Sequence, residues 1–404
     1  MNVARVLVTY GWCRSSYVAV RSLAMAGHTV FVCSHRQPAM ASWSRFSSEG
    51  ATVADPFGEP ERYARDVADL ADRWALDVIL PGHEDGLALR HHEDVLPESV
   101  VLACPVLGDF ESGVDKVEMT RLAARIGVRT PHSAFPETVD EALTAAAEIG
   151  YPVVVKARRS NGGKGVRLVG GPDELWALFA GGLHPFGDGT AGFPFIQAFH
   201  RGAIVGGCML AQSGSLVATF GERYLRTKDE GFGTSVYRER MVSAAIDDAL
   251  AQIAGAIGWT GLAHADFIED PATGELLFLE LNPRPWGAIH LAYVNGFDFP
   301  AAAVEQALGG AALQRYFVPR NGTDLRSVWL VGEGIRAAVL LRTRGWTAFL
   351  GAPWTVLRSL PGASIDGFVW HDPLALVAEA ICYGRGFLAA RGDTNPTTRG
   401  MFGE

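Results

Sequence analysis

Several common classes of protein are excluded by what this 404-residue chain lacks. Its five cysteines, Cys13, Cys33, Cys104, Cys208 and Cys382, are odd in number and widely spaced, with no CxxC pair. That rules against a disulfide framework or a finger-type zinc site, and the thiols read as reduced and buried. The formal net charge is -9 and no dense basic run offsets it, so a nucleic-acid partner is not expected. No stretch reaches the roughly 18 to 20 uninterrupted apolar residues of a membrane span. Even 335–350 is interrupted by Arg336, Arg342, Arg344 and Gly345, and the C-terminal apolar segments read as core helices in preference to membrane-surface ones. The opening MNVARVLVTYG has no cleavage pattern and reads as a first strand, so the expected setting is cytoplasmic. GWCRSS, which follows, lacks GxGxxG, and GxxxxGK[ST] is absent, leaving no support for a dinucleotide site or a P-loop.

What is present points to an α/β protein of more than one unit. Up to about residue 110, strand-like runs (VARVLVTYG, HTVFVCS, Leu76–Leu80, Val100–Ala103) alternate with helix-like ones (Tyr17–Ala26, Glu59–Trp74). This alternation predicts a parallel sheet covered on both faces, with ligands at the carboxyl ends of its strands. Those ends carry Tyr10 and Gly11, Ser34 and His35, and His83 with Glu84 and Asp85. Helices are expected over Asp115–Gly127, Val139–Ile149, Asp173–Ala180 and Met241–Ile257, and strands on both sides of the glycine-rich loop in YPVVVKARRSNGGKGVRLV, at Phe195–Phe199, at Ala203–Leu210 and, after a hairpin at Gly214, at Leu216–Phe220. The polar stretch Glu222–Arg240 reads as strand and loop, with Arg223, Arg226 and Lys228 clustered in it. Beyond Phe299 a strand-like Leu325–Val331 and helix-like runs at Gly334–Arg344 and Leu374–Ala390 make up a last module.

The most informative stretch is GLAHADFIEDPATGELLFLELNPRPWG, residues 261–287. It reads as two strands joined by a turn at Pro271–Gly274. Glu280 and Asn282, two apart on one strand, face the same way, and pairing across the turn can bring Asp266 beside them. An all-oxygen cluster of this kind suits Mg²⁺, although an acidic surface hairpin would look the same. A second candidate is Val153–Lys156 running into RSNGGKGV, where Gly162, Gly163 and Gly165 allow close backbone approach to phosphate oxygens. A mobile solvent hairpin is the plainer reading of that loop alone. Trp286 to His290 and Asn295 follow the acidic hairpin and are candidates for an acceptor pocket.

Taken in order, Lys116, Lys156, the glycine-rich hairpin, PFIQAFHRG and the D…ELNPR hairpin resemble the ATP-grasp superfamily over roughly residues 113 to 300. The nearest texture is the carboxylate-amine ligase branch related to the carbamoyl phosphate synthetase large chain and D-alanine-D-alanine ligase. The resemblance implies a parallel-sheet domain over 1–112, an ATP-grasp core of two α+β subdomains over 113–309 with its lid at about 130–200, and a small C-terminal module over 310–404. It implies ATP and one or two Mg²⁺, with Mn²⁺ as a substitute, held as metal by Asp266, Glu280 and Asn282. Lys116 and Lys156 would contact the phosphates, and Ser160, Gly162, Gly163 and Gly165 would form the lid. Gln197, Ala198 and His200 would read adenine; Gln197 stands where the superfamily commonly has an acid, and Arg201 where the ribose partner is often acidic. Arg284, Arg226 and Lys228 would serve catalysis at the transferred phosphoryl group. The implied reaction joins a small-molecule carboxylate, such as an amino acid, to an amine through an acyl phosphate, releasing ADP and phosphate. Phosphorylation of an enol or bicarbonate oxygen, and nucleotide binding without turnover, are the alternatives. Family habit adds a homodimer.

Overall fold

The computed structural model describes residues 3–160, 165–180, 192–229, 232–320 and 326–389. Gly162 and Gly163 of the glycine-rich loop lie outside the described residues. Five strands, β1 (Arg5–Val8), β2 (Thr29–Ser34), β3 (Glu49–Thr52), β4 (Val78–Leu80) and β5 (Val101–Leu102), form a parallel sheet in the order β3-β2-β1-β4-β5. Alternation along β1 explains its two-sided burial. Val6 and Val8 pack with the helix Arg14–Met25, while Leu7 packs with Pro60–Trp74. The strand β3 has no apolar pattern (EGAT) and is largely exposed, so composition did not announce it.

A smaller antiparallel sheet follows, with β6 (Ser133–Ala134), β7 (Val153–Lys156), β8 (Val166–Val169) and β9 (Phe195–Ala198) in the order β6-β9-β7-β8. Val153 and Val155 pack under the helices Val139–Ile149 and Pro172–Ala180, so Val154 and Lys156 project from the opposite face.

The large sheet contains β10 (Ala203–Gln212), β11 (Ser215–Asp229), β12 (Phe232–Met241), β13 (Gly261–Glu269), β14 (Leu276–Asn282), β15 (Arg326–Val328) and β16 (Ala363–Ile365). Their order is β14-β13-β10-β11-β12-β15-β16. On one face, Val205, Met209, Ala263, Ala265 and Phe267 pack against the helix Ala244–Ile257, which Ser243 caps. The polar stretch expected to include a loop is instead most of the long hairpin β11–β12, because its charges find partners along the sheet: Arg223 pairs with Glu269 and Arg226 with Glu333. The sheet also continues past residue 309, as β15 pairs with β12 and β16 with β15. The helix Leu330–Arg344 begins earlier than its apolar run suggested, and a further helix, Trp346–Ser359, follows it. No described helix is long and apolar enough to cross a membrane.

One buried ionic knot ties the beginning, middle and end of the chain together. Asp366 Oδ2 accepts from Arg14 Nη1 at 2.5 Å and from Arg238, and its Oδ1 accepts from Ser327 Oγ at 2.9 Å. The Arg14 guanidinium lies 3.7 Å over the Trp329 ring, whose Nε1 donates to Glu379 at 2.8 Å. Burial, with Arg14 as a like-charged neighbour, lowers the Arg238 pKa to about 9. Asp366→Ala leaves two buried cations short of their shared anion, and the expected loss is about 3–5 kcal/mol of unfolding free energy by chemical denaturation. A loss below about 1 kcal/mol counts against the knot as a structural tie.

Candidate active site

Two successive rows of the large sheet place nearly all the site's polar groups on one face. Register sets Glu222, Gly206, Asp266 and Glu280 side by side across β11, β10, β13 and β14. The next row sets Cys208, His264 and Asn282 beside one another. Cross-strand partners point the same way, so these side chains share the face opposite the apolar one. Gly206 is required by crowding: a Cβ there would lie 2.6 Å from His264 Nε2 and 2.9 Å from Glu222 Cγ.

Asp266 and Glu280 are therefore neighbours in a half-buried row. Burial raises the Asp266 pKa to about 6, with His264 opposing the rise and Glu280 adding to it. Burial pushes Glu280 the same way, but Lys116 and Lys156 outweigh it and hold its pKa below the ordinary value. Lys116 Nζ lies 3.3 Å from Glu280 Oε2 and also donates to the Ser160 carbonyl. It is placed by the helix Lys116–Arg125, whose N-cap Asp115 accepts from the backbone N–H groups of Val117 and Glu118. Lys156, 8% exposed, has its pKa lowered to about 8 by burial, which Glu280 partly offsets and Lys116 reinforces. Asn282 Nδ2 stands 3.4 Å from Asp266 Oδ2 and 3.5 Å from Glu280 Oε1, so the two carboxylates already share one electropositive group. Three hard oxygen-bearing side chains disposed in this way fit a divalent cation such as Mg²⁺.

A cleft of about 480 Å³ opens between this face and the small sheet. Val154, Lys156 and Gln197 line it from the small sheet; Ile204, Tyr224 and Leu279 line it from the large one. Gln197 is 1% exposed and donates through Nε2 to Ser133 Oγ at 3.0 Å, which leaves its carbonyl oxygen able to accept. Ser160, Ala198, His200 and Arg201 also line the cleft. The N–H of Ala198 is already donated to the His132 carbonyl at 2.8 Å and is not available to a ligand. Gly165, where φ is +66°, closes the described end of the glycine-rich loop.

Of the three expected catalytic cations, only Arg284 lines the cleft. Its Nη2 donates to Asn282 Oδ1 at 3.2 Å, its Nη1 to the Pro285 carbonyl at 3.2 Å, and its Nε lies 3.4 Å from Glu84 Oε1 of the first unit. Arg226 is held elsewhere, with Nε and Nη2 on Glu333 Oε1 at 2.8 and 2.5 Å and its guanidinium 4.5 Å over the Tyr237 ring. Lys228 is not among the residues lining the cleft. Trp286 does line it, whereas His290 bonds Ser364 at 2.8 Å and Asn295 donates to the Leu291 carbonyl at 2.9 Å, both buried away from it.

Two site residues escaped the sequence reading. Tyr224 donates to Asp266 Oδ1 at 3.1 Å, and His264 lies 3.4 Å from Glu222 and stacks on Trp286 with centroids 5.9 Å apart. Burial alone would lower the His264 pKa, yet Asp266 and Glu222 prevail and raise it. The spacing of His264 from Asp266, two along one strand, was the available signal.

Comparison with known proteins adds to this geometry. Residues 115–189 match the family model described as "Carbamoyl-phosphate synthase L chain, ATP binding domain". A biotin carboxylase of Nostoc sp. is 32% identical over 184 residues, covering 42% of this chain and 40% of that protein. A formate-dependent phosphoribosylglycinamide formyltransferase of Synechococcus sp. is 24% identical over 290 residues, covering 61% and 70%. The chain spans only 13% of the length of acetyl-CoA carboxylase 2 of Oryza sativa subsp. japonica, to which it is 26% identical over 306 residues. Among solved structures, the biotin carboxylase domain of Hydrogenobacter thermophilus 2-oxoglutarate carboxylase, in complex with MgADP, ADP and bicarbonate, superposes with a TM-score of 0.65 at 18% identity, covering 80% of this chain and 74% of that one. Biotin carboxylase from Campylobacter jejuni gives the same TM-score and identity over 79% and 74%.

Asp266 binds a proton below about pH 6 and a divalent cation must displace it. Mn²⁺ affinity, followed by electron paramagnetic resonance, is therefore expected to fall by roughly tenfold per pH unit below that point. Asp266→Asn is expected to weaken binding at pH 8 and to flatten this dependence.

Proposed function

Because the chain belongs to the ATP-grasp superfamily, we propose that it uses ATP to activate a small carboxylate as an acyl phosphate and passes the acyl group to an amine. The carboxylate oxygen attacks the γ-phosphorus and ADP leaves; the amine nitrogen then attacks the acyl carbon, phosphate leaves, and the nitrogen sheds a proton. A cytoplasmic setting goes with this reading, since ATP is supplied there. The observation that carries it is the convergence of Asp266, Glu280 and Asn282 with Lys116, Lys156 and Arg284 beside a single cleft between two sheets.

Each side chain has a physical task in this scheme. Asp266, Glu280 and Asn282 would hold Mg²⁺, which neutralises phosphate oxygens as charge builds on them. Lys116 and Lys156 answer the remaining phosphate charge. Phosphate contact favours the charged form of Lys156, whose pKa near 8 in the free protein leaves it partly neutral above that pH. Val154 and Leu279 give the adenine ring apolar faces, and the Gln197 carbonyl accepts from its amino group. The forked donors of Arg284 suit the oxygens of the transferring phosphoryl group and the acyl phosphate. Residues 113–309 would then form the nucleotide clamp with its lid at about 130–200, residues 1–112 would supply the wall bearing Glu84, and β15 and β16 of the C-terminal module complete the large sheet.

A second reading is phosphorylation of bicarbonate, favoured by the likeness to biotin carboxylases. The two separate in an ADP-release screen with mass spectrometry of the products. Release that requires a carboxylate and an amine together, with an amide formed, supports ligation. Release driven by bicarbonate without an amine overturns it in favour of the second reading, and no release with any acid indicates nucleotide binding alone. Glu280→Ala is expected to cut ADP release by roughly a hundredfold or more; unchanged release means the metal assignment is wrong. Gln197→Leu is expected to raise the KM for ATP by roughly tenfold with little change in kcat, the signature of lost uniform binding.

A further inference from the structure

Beside the row of Asp266 and Glu280 lies a group of side chains that the reaction scheme does not use. Cys208, Glu222 and His264 come from β10, β11 and β13, with β10 between the other two. Register sets Cys208 opposite His264, and sets Glu222 opposite Gly206, two residues before Cys208 on the same face. The Cys208 thiol, a Glu222 carboxylate oxygen and a His264 ring nitrogen all lie within 4.8 Å of one another. The three residues are 0%, 0% and 4% exposed.

Glu222 shows what the group lacks. Among the described residues neither of its carboxylate oxygens has a hydrogen-bond partner, and His264 Nε2 stands 3.4 Å from Oε1 without making one. Arg14 and Arg238 feel its charge, yet both donate to Asp366. A fully buried carboxylate without a donor calls for a cation. Gly206 keeps the space beside it open, since a Cβ there would lie 2.6 Å from His264 Nε2 and 3.1 Å from Glu222 Oε1. A tetrahedral Zn²⁺, bonded at about 2.0 Å to oxygen and nitrogen and about 2.3 Å to sulfur, spaces its ligand atoms about 3.3 to 3.6 Å apart. The 3.4 Å between Nε2 and Oε1 is already that spacing.

We propose that Cys208, Glu222 and His264 bind a Zn²⁺-class cation, separate from the Mg²⁺ assigned to Asp266, Glu280 and Asn282. Thiolate and imidazole select the softer ion, as an all-oxygen set selects Mg²⁺. The His264 ring is held by stacking on Trp286, and its Nδ1 faces Asp266 Oδ2 at 3.8 Å, which leaves Nε2 for the ion. Leu210 and Phe220 share the apolar cluster of Cys208 and shield the site. His264 and Tyr224 line the cleft while Cys208 and Glu222 stand behind them, so the ion enters from the cleft. Three protein ligands leave a fourth position for water or a heteroatom of a bound small molecule, the pattern of zinc sites that act on what they hold. The site does not depend on which acid the cleft activates.

The test is titration of the full chain, stripped with a chelator and kept in excess Mg²⁺, with Co²⁺ as the spectroscopic substitute for Zn²⁺. One equivalent is expected to give a thiolate-to-cobalt charge-transfer band in the near ultraviolet, which Zn²⁺ displaces and Mg²⁺ does not. Cys208→Ser is expected to abolish the band, and Cys208→Ser and Glu222→Gln each to weaken Co²⁺ binding by roughly a hundredfold or more. Glu280→Ala, which removes a carboxylate of the Mg²⁺ row, is expected to keep the band. Zn²⁺ is expected to raise the Tm of the unaltered chain and not that of Cys208→Ser. X-ray absorption of the zinc-loaded, unaltered chain needs no variant and is expected to show one sulfur at about 2.3 Å with nitrogen and oxygen at about 2.0 Å. No band, or a zinc shell without sulfur, overturns the proposal. So does a band that Cys208→Ser retains, which would belong to another thiol, or one that Mg²⁺ or Glu280→Ala removes, which would belong to the Mg²⁺ row.

Discussion

Two carboxylates placed directly opposite each other in paired strands repel, and burying them adds a desolvation cost to the repulsion. Asp266 and Glu280 stand in that relation, and the surrounding elements answer it. Lys116 comes from a capped helix, Lys156 from the inner face of the small sheet, and Asn282 and Arg284 from the strand end itself. Docking the small sheet and the Lys116 helix against the large sheet is thus an electrostatic event as well as a hydrophobic one. The compensation is uneven. The lysines hold Glu280 below its ordinary pKa while Asp266 is left at about 6, so the row retains an affinity for a further positive charge.

The same arrangement explains why the cleft lies where it does. The large sheet keeps one face for Phe267, Met209 and the helix Ala244–Ile257, and the other for charge. The small sheet repeats the division, with Val153 and Val155 under its helices and Val154 and Lys156 turned the other way. Two sheets that each reserve one face for their own helices must meet across their polar faces. A space between such faces is suited to a ligand that is part apolar ring and part polyanion.

Much of this was legible because it depends on period-two alternation, which a sequence displays directly. The acidic hairpin, the strands flanking the glycine-rich loop and the helix Val139–Ile149 all followed from local pattern. What could not be read depends on partners far along the chain. Charges on β11 and β12 suggested a loop, since nothing local shows that Arg223 meets Glu269 or that Arg226 meets Glu333. Arg14 and Asp366, 352 residues apart, give no local sign of their ion pair. Tyr224 and His264 belong to an intermediate class: their strand positions were visible, but their role required knowing that Gly206 leaves room for His264 beside Glu222 and that Tyr224 reaches across to Asp266.

The contrast between Arg226 and Arg284 shows how geometry separates two arginines that motif reading had grouped. Arg226 presents two nitrogens to one oxygen of the nearly buried Glu333, at 2.8 and 2.5 Å, and rests on an aromatic ring. Moving it to another anion would leave the buried carboxylate to Arg336, whose Nη1 lies 3.6 Å from its other oxygen, and would give up the two short bonds. Arg284 divides its donors among three different groups, all at 3.2 to 3.4 Å, and none is a close bidentate contact. Exchanging such long bonds for short ones to developing negative charge is favourable, because charge-assisted bonds at closer range are roughly twice as strong. Its contact with Glu84 also brings the carboxyl end of the parallel sheet to the edge of the cleft. Under the proposed reaction, the cation best placed to meet a reacting group is therefore the one that also touches the parallel-sheet unit, through Glu84.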